Sequence, residues 1–168
     1  MSDNPAVEKL AKLIKGIHFA MLATTDEFGE IHGRPMATQQ ADFDGTLWFL
    51  TGISTHKVAE IGRDHHVNLS YADPGSNRYV SVSGVARLVR DKQKIKELWN
   101  PIYKAWFPEG LDDPELAALQ VTPTKAEYWD APSSKVVQLV GFVKAIVTGQ
   151  RARGGDHAEL NLEGSQSS

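Results

Sequence analysis

The sequence predicts an α+β domain, mainly β, in which six short antiparallel strands form a small barrel with peripheral helices. Short alternating apolar runs are set off by turn signals from Phe19 to Thr51, and a second set runs from Val67 to Trp129. Only a few helix-period stripes are inserted among them.

In chain order, Asn4 and Pro5 read as an N-cap and first helical residue, and Val7, Leu10, Leu13, Ile14 and Ile17 form one apolar stripe. Phe19 to Thr24 is a strand, turned by Asp26-Glu27-Phe28-Gly29 into a second strand from Ile31 to Ala41. Asp44-Gly45 is a hairpin signal into Thr46 to Thr51, so the opening reads as a β-meander. Ser54 or Thr55 caps a helix that runs to Ile61 and stops at Gly62. Val67 to Tyr71 alternates as a strand, and Asp73-Pro74-Gly75-Ser76-Asn77 is turn chemistry.

Arg78 to Val89 is a long strand in which Gly84 marks a bulge or a close backbone approach. Asp91 caps a helix carrying Ile95, Leu98, Trp99 and Ile102, and Asp113-Pro114 opens another. Val121 to Trp129 is the sixth strand. Val136 to Thr148 reads as a strand or a terminal helix, with helix favoured in its C-terminal half. Residues 1–150 are expected to form one domain. Arg151 to Ser168, rich in Gly, Ser and charge, is expected to be a flexible tail.

A chain of 168 residues buries about 70% of its unfolded surface, enough for one self-sufficient core. Net charge is −3, so there is no basic field for nucleic acid or anionic membranes. Cysteine is absent, which rules out disulfides and thiolate chemistry and favours a reducing compartment. Met1 to Gly16 has no signal-peptide apolar run, and Val136 to Val147 is too short and too polar to span a bilayer. A cytoplasmic location is the expectation.

The motifs that carry chemistry are Arg34 to Gln39 and Thr51 to Lys57. They combine an arginine, a lysine, hydroxyls and a helix start, whose first amides lack intrahelical partners and attract anions. Arg34 could be a plain solvated strand residue, but alternation sets it on one face with Met36 and Thr38, an odd mixture for surface or core. Lys57 in the first turn opposes the helix dipole unless an anion sits there. Trp48 and Trp99 read as core. Tyr128 and Trp129 point to opposite faces, so one of them packs.

The six histidines, His18, His32, His56, His65, His66 and His157, show no metal-binding spacing, and no metal site is expected. Glu109, Asp112, Asp113 and Glu115 read as a solvated loop and a helix cap. No Gly-x-Gly-x-x-Gly or Walker-type loop is present, which argues against a Rossmann site and an NTPase.

Arg-Pro-Met at Arg34, Thr-x-x-Ser-x-x-Lys from Thr51 to Lys57 and Tyr128-Trp129 occur in an order that resembles the pyridoxamine 5′-phosphate oxidase-like, FMN-binding split-barrel family. Within it the chain is most similar to the general stress protein 26 branch, from Phe19 to Ala131. The resemblance implies a six-stranded antiparallel split barrel and a homodimer with two FMN sites shared between subunits. It lays the strand of Arg34, Pro35, Met36, Ala37, Thr38 and Gln39 along the flavin, with the arginine reaching the phosphate. It places Thr51, with Leu50 before it, beside the ribityl-phosphate, and Lys57 on the phosphate with Ser54 or Thr55. His56 stands where the oxidases proper carry arginine. Tyr79 matches a polar residue that reaches the flavin from the partner subunit, and Trp129 matches a tryptophan at the ring edge. FAD is the alternative cofactor.

The true oxidases follow that tryptophan with an Arg-x-His pair that grips the substrate. Lys135 and Val137 stand there in this chain, so oxidation of pyridoxamine phosphate is not expected. What is implied is an FMN-dependent oxidoreductase reduced by a nicotinamide, with no residue standing out as a general acid or base. The rival is a non-catalytic flavin carrier or sensor. A deazaflavin or a haem, held by His32 or His56, is a weaker third reading.

Overall fold

The computed structural model describes residues 4–39, 43–131 and 156–163. Helix α1 (Pro5–Ile14) is capped by Asn4, whose side chain accepts the Ala6 amide at 2.8 Å, and its stripe of Val7, Leu10 and Leu13 is buried. Six strands then form one continuous antiparallel sheet: β1 (Phe19–Thr25), β2 (Ile31–Ala37), β3 (Leu47–Gly52), β4 (His66–Asp73), β5 (Arg78–Val89) and β6 (Leu116–Asp130). Their spatial order is β2-β1-β4-β5-β6-β3. The sheet curls around a core that includes Leu22, Phe49, Leu69, Val82, Leu119 and Val121. Helix α2 (His56–Arg63) joins β3 to β4, and α3 (Lys92–Leu98) covers the outer face of β3. This is the expected split barrel of the mainly β, α+β class with peripheral helices. No helix among the described residues is long and apolar enough to cross a membrane.

Several local expectations are corrected. The hairpin expected at Asp44-Gly45 does not pair β2 with β3: β2 pairs with β1 over its whole length, while β3 takes β6 as its partner. β2 ends at Ala37, four residues short of the expected Ala41, because its partner begins at Phe19. Beyond that point Thr38 instead bonds His18 and Ile17 carbonyls through its amide and hydroxyl. β6 begins at Leu116, not Val121, since the apolar run Leu116–Leu119 is buried against β3. Asp113-Pro114 therefore opens no helix; the Asp113 carboxylate accepts the Glu115 amide and turns the chain into the strand.

Helix α3 stops at Leu98 and leaves Ile102 exposed, because Pro101 forces Asn100 into extended backbone. The expected tail contains a seventh strand, β7 (Asp156–Asn161), paired with β6 and followed by Leu162 in the core. Its signal is the period-two pattern Ala158, Leu160, Leu162, which the surrounding Gly and Ser mask in composition. The Val136 to Thr148 segment lies outside the described residues.

Gly84 behaves as its position in the strand suggests. The β5–β6 register shifts between Ser83 and Gly84, and a Cβ built at Gly84 would lie 2.6 Å from the Thr122 carbonyl oxygen and 3.1 Å from Pro123 Cα. Both obstacles are backbone in the partner strand, so relief requires moving the strand. Gly84→Ala should cost about 2 kcal/mol, read as a lower urea midpoint at unchanged m-value. An unchanged midpoint would show that the strands separate freely there.

Candidate functional site

Arg34 stands on the inner face of β2, opposite Leu22 of β1. Its Nη1 donates to the Thr24 hydroxyl at 2.6 Å and to the Leu22 carbonyl at 3.3 Å, and Nη2 donates to Glu60 Oε2 of α2 at 3.2 Å. The Thr24 hydroxyl itself donates to the same Glu60 oxygen in a short bond. Thr24 and Glu60 are both buried. The Thr24 bond first, then the Arg34 guanidinium, hold the Glu60 carboxyl below its usual range against the opposing effect of burial. Arg34 is thus clamped between β1 and α2, with three of its five N–H donors engaged. At most two donors remain to meet a ligand. Nothing local in the chain signals the clamp, because Thr24, Arg34 and Glu60 are far apart along it.

Lys57 contrasts with it. It is half-buried on the first turn of α2 and has no acidic or hydrogen-bonding side-chain partner among the described residues. Burial first, then the charge of Arg34, push its ammonium below the usual lysine range. The N-terminus of α2 lacks a side-chain cap, so the amides of His56 and Lys57 have no protein acceptor among the described residues. Two nearby cations and two open amides are the chemistry that suits an anion.

The hydroxyls divide clearly. Thr51, at the end of β3, is 3% exposed and its Oγ1 has no hydrogen-bond partner among the described residues, an uncommon condition for a buried polar atom. Ser54 donates its hydroxyl to Glu115 at 2.5 Å, and its amide donates to the same oxygen. Thr55 donates to the Gly52 carbonyl at 2.9 Å. Each hydroxyl has one proton, so Ser54 and Thr55 are engaged while Thr51 is free to donate. Glu115, expected to be merely solvated, pins the turn that leads into α2.

Met36 is buried in the core, while Pro35 lies exposed on the outer face of β2 and Ala37 is half-buried there. Leu50 faces away from the barrel interior and packs with the α3 cluster, so its side chain stands apart from the Arg34 group. Gln39 donates to the Tyr103 hydroxyl at 3.2 Å. His56 is exposed and, with Arg63 and His32, rims an open polar depression of 490 Å³ containing Arg34 and Glu60. Tyr128 packs in the core, whereas Tyr79 and Trp129 are exposed. Tyr79, Trp129 and His157 occupy one cross-strand row on the outer face, and Trp129 stacks on His157 with ring centroids 5.1 Å apart. Tyr79 and Trp129 therefore stand together, on the opposite face of the sheet from Arg34. Lys135 and Val137 fall outside the described residues.

Asp26, Glu30 and His32 bring three ligand atoms close together on the β1–β2 turn. Asp26 already accepts the Phe28 and Glu30 amides and pairs with His32 at 2.9 Å, and that pairing raises the histidine's pKa. A histidine held toward its protonated form is a poor metal ligand.

Comparison with known proteins agrees with the fold. The chain is similar to Protein bli-3 of Neurospora crassa, 26% identical across 87% of this chain and 75% of that protein. A solved candidate general stress protein 26 from Jannaschia sp. CCS1 superposes with a TM-score of 0.72 at 22% identity, covering 93% of this chain and 97% of the other. The general stress FMN/FAD binding protein of Xanthomonas citri is 32% identical, with a TM-score of 0.63 over 74% of this chain and 88% of its own. The model of the family described as pyridoxamine 5′-phosphate oxidase like matches residues 5–153. With that match spanning most of its length and the split barrel beneath it, the chain belongs to the pyridoxamine 5′-phosphate oxidase like family.

Proposed function

We propose that this protein binds FMN as a homodimer and acts as a flavin-dependent oxidoreductase distinct from the true pyridoxamine 5′-phosphate oxidases. The observation that carries the reading is Lys57: a desolvated ammonium beside Arg34, with no partner among the described residues, at a helix start with open amides. The orphaned Thr51 hydroxyl fits the same ligand, since a ribityl-phosphate supplies the acceptor it lacks. Lys57, the α2 amides and the two free donors of Arg34 would hold the phosphate. Bound flavin supplies electron or hydride transfer, and the protein supplies position and charge.

Dimerisation is supported by the outer face of the sheet. Phe19 is 65% exposed, Met21 46%, Tyr79 44% and Trp129 42%, and a monomer rarely leaves so much apolar surface in water. The flavin ring would lie where this face meets its copy.

A non-catalytic flavin carrier is favoured by one observation, the replacement of the substrate-gripping pair by Lys135 and Val137. Two measurements decide. FMN titration followed by flavin fluorescence should give tight binding, with riboflavin at least about tenfold weaker for want of the phosphate. Equal affinity for the two would overturn the phosphate assignment. Bleaching of the bound flavin by NADH or NADPH supports the oxidoreductase, and its absence with either donor supports the carrier.

A further inference from the structure

A cavity of 300 Å³ opens between the end of α1, residues 43–46 and the start of β3. It has room for about ten water-sized groups, the low end of small-molecule sites, which limits an occupant to a single ring with a short substituent. Its lining changes with depth. Ile17, Leu47, Phe49 and Tyr71 form the floor; all are buried and belong to the core of the barrel, against which Ile14 and Phe43 pack. Trp48 alternates with Leu47 and Phe49 along β3 and turns the other way, to the α3 cluster, so it is no part of this floor.

The charged lining groups stand at the mouth. Lys15 and Asp44 are exposed there and offset each other in sign, and Lys94 is taken up by Glu97 at 3.5 Å and by the Trp48 ring at 4.4 Å. No net charge is left to draw in an ion, and an ion on the floor would exchange water for apolar side chains. The polar demand on the floor comes from Tyr71 of β4. It is only 3% exposed, yet its hydroxyl has no hydrogen-bond partner among the described residues, an uncommon state for a buried donor. Burial pushes this phenol far above its ordinary pKa, so it keeps its proton and lacks an acceptor. Thr38, also in the lining, gives its hydroxyl proton to the Ile17 carbonyl and makes no competing demand. An apolar floor with one unmet donor suits an uncharged molecule with one strong acceptor.

We propose that this cavity binds a small uncharged carbonyl compound, its apolar body on Ile17, Leu47 and Phe49 and its oxygen accepting from the Tyr71 hydroxyl. The inference does not rest on flavin binding, since none of these residues is among those assigned to the phosphate.

The test titrates 4-fluoroacetophenone into the full chain and follows it by fluorine NMR. Its near-isostere 1-ethyl-4-fluorobenzene lacks the oxygen, and 4-fluorobenzoate carries a charge. The ketone should bind saturably, about fivefold more tightly than the ethyl compound and more tightly than the benzoate. Tyr71→Phe keeps the ring and removes the donor, so it should bring the ketone down to the affinity of the ethyl compound and leave the latter unchanged. Ala11→Leu, at a half-buried position of α1 that lines the cavity, keeps a good helix former and fills the space, so it should abolish binding of both. Absence of saturable ketone binding at millimolar ligand, equal affinity for the ethyl compound, tighter binding of the benzoate, or full ketone affinity in either variant would overturn the proposal. Should Tyr71→Phe fail to fold, the three ligands on the unaltered chain and Ala11→Leu decide alone. FMN affinity is titrated separately, so failure here leaves the flavin reading untouched and the reverse also holds.

Discussion

Lys57→Met should weaken FMN binding by about 10- to 100-fold while leaving riboflavin affinity unchanged, both measured by fluorescence titration. Methionine keeps most of the stem and removes only the charge and its donors. The size of the effect follows from the geometry. The charge of Arg34 is already offset by Glu60, whereas Lys57 has no counter-charge among the described residues. On the proposed reading the lysine, and not the arginine, is therefore expected to supply the dominant attraction. Arg34→Lys should accordingly cost less FMN affinity than Lys57→Met, although it also loosens the clamp.

The pH dependence has a definite sign. In the free protein Lys57 titrates below the usual lysine value of 10.5, because it is buried and lies near Arg34. A bound phosphate raises that pKa again. FMN affinity is therefore full below the free-protein pKa and falls as pH rises through it, beginning lower than an ordinary lysine would allow. Lys57→Met should lack this alkaline limb. A variant that keeps it would show that another group is titrating.

How far the site could be read from sequence depended on distance along the chain. The span Arg78–Val89, the irregularity at Gly84 and the opposed faces of Tyr128 and Trp129 are all visible locally, because alternation and glycine chemistry act within a few residues. The helix start that carries Lys57 was legible for the same reason, since capping residue and lysine are adjacent. Whatever needed a distant partner was not. The apolar run of β3 fits equally well beside β2 or β6, and only the matching buried run Leu116–Leu119 decides between them. Glu60 lies on an ordinary helix turn and becomes part of the site only because Arg34 and Thr24 fold onto it. Ser54 looked like a phosphate ligand until Glu115, 61 residues away, claimed its proton.

Glu60→Ala should destabilise the protein by about 3 kcal/mol, the lower end for breaking a buried ion pair, since the Arg34 side chain retains 22% exposure. Three losses coincide: the carboxylate bond to Arg34, the acceptor for the Thr24 hydroxyl, and the counter-charge beneath a half-buried guanidinium. Glu60→Gln tests the charge separately, because its amide oxygen can still accept from Thr24 while the negative charge is gone. The linkage runs in one direction. The folded-state pKa of Glu60 is depressed below its usual 4.5, so its contribution is complete above that value and is lost as pH falls through the folded-state pKa. Urea unfolding at a series of pH values should show wild type and Glu60→Gln well separated near neutrality and converging below about 4.5. A gap that stays constant down to the acid limit would mean that Glu60 holds Arg34 by shape and hydrogen bonding, with its charge contributing nothing to stability. In that case Arg34 would carry its full positive charge to the phosphate, and the primacy assigned to Lys57 would fall with it.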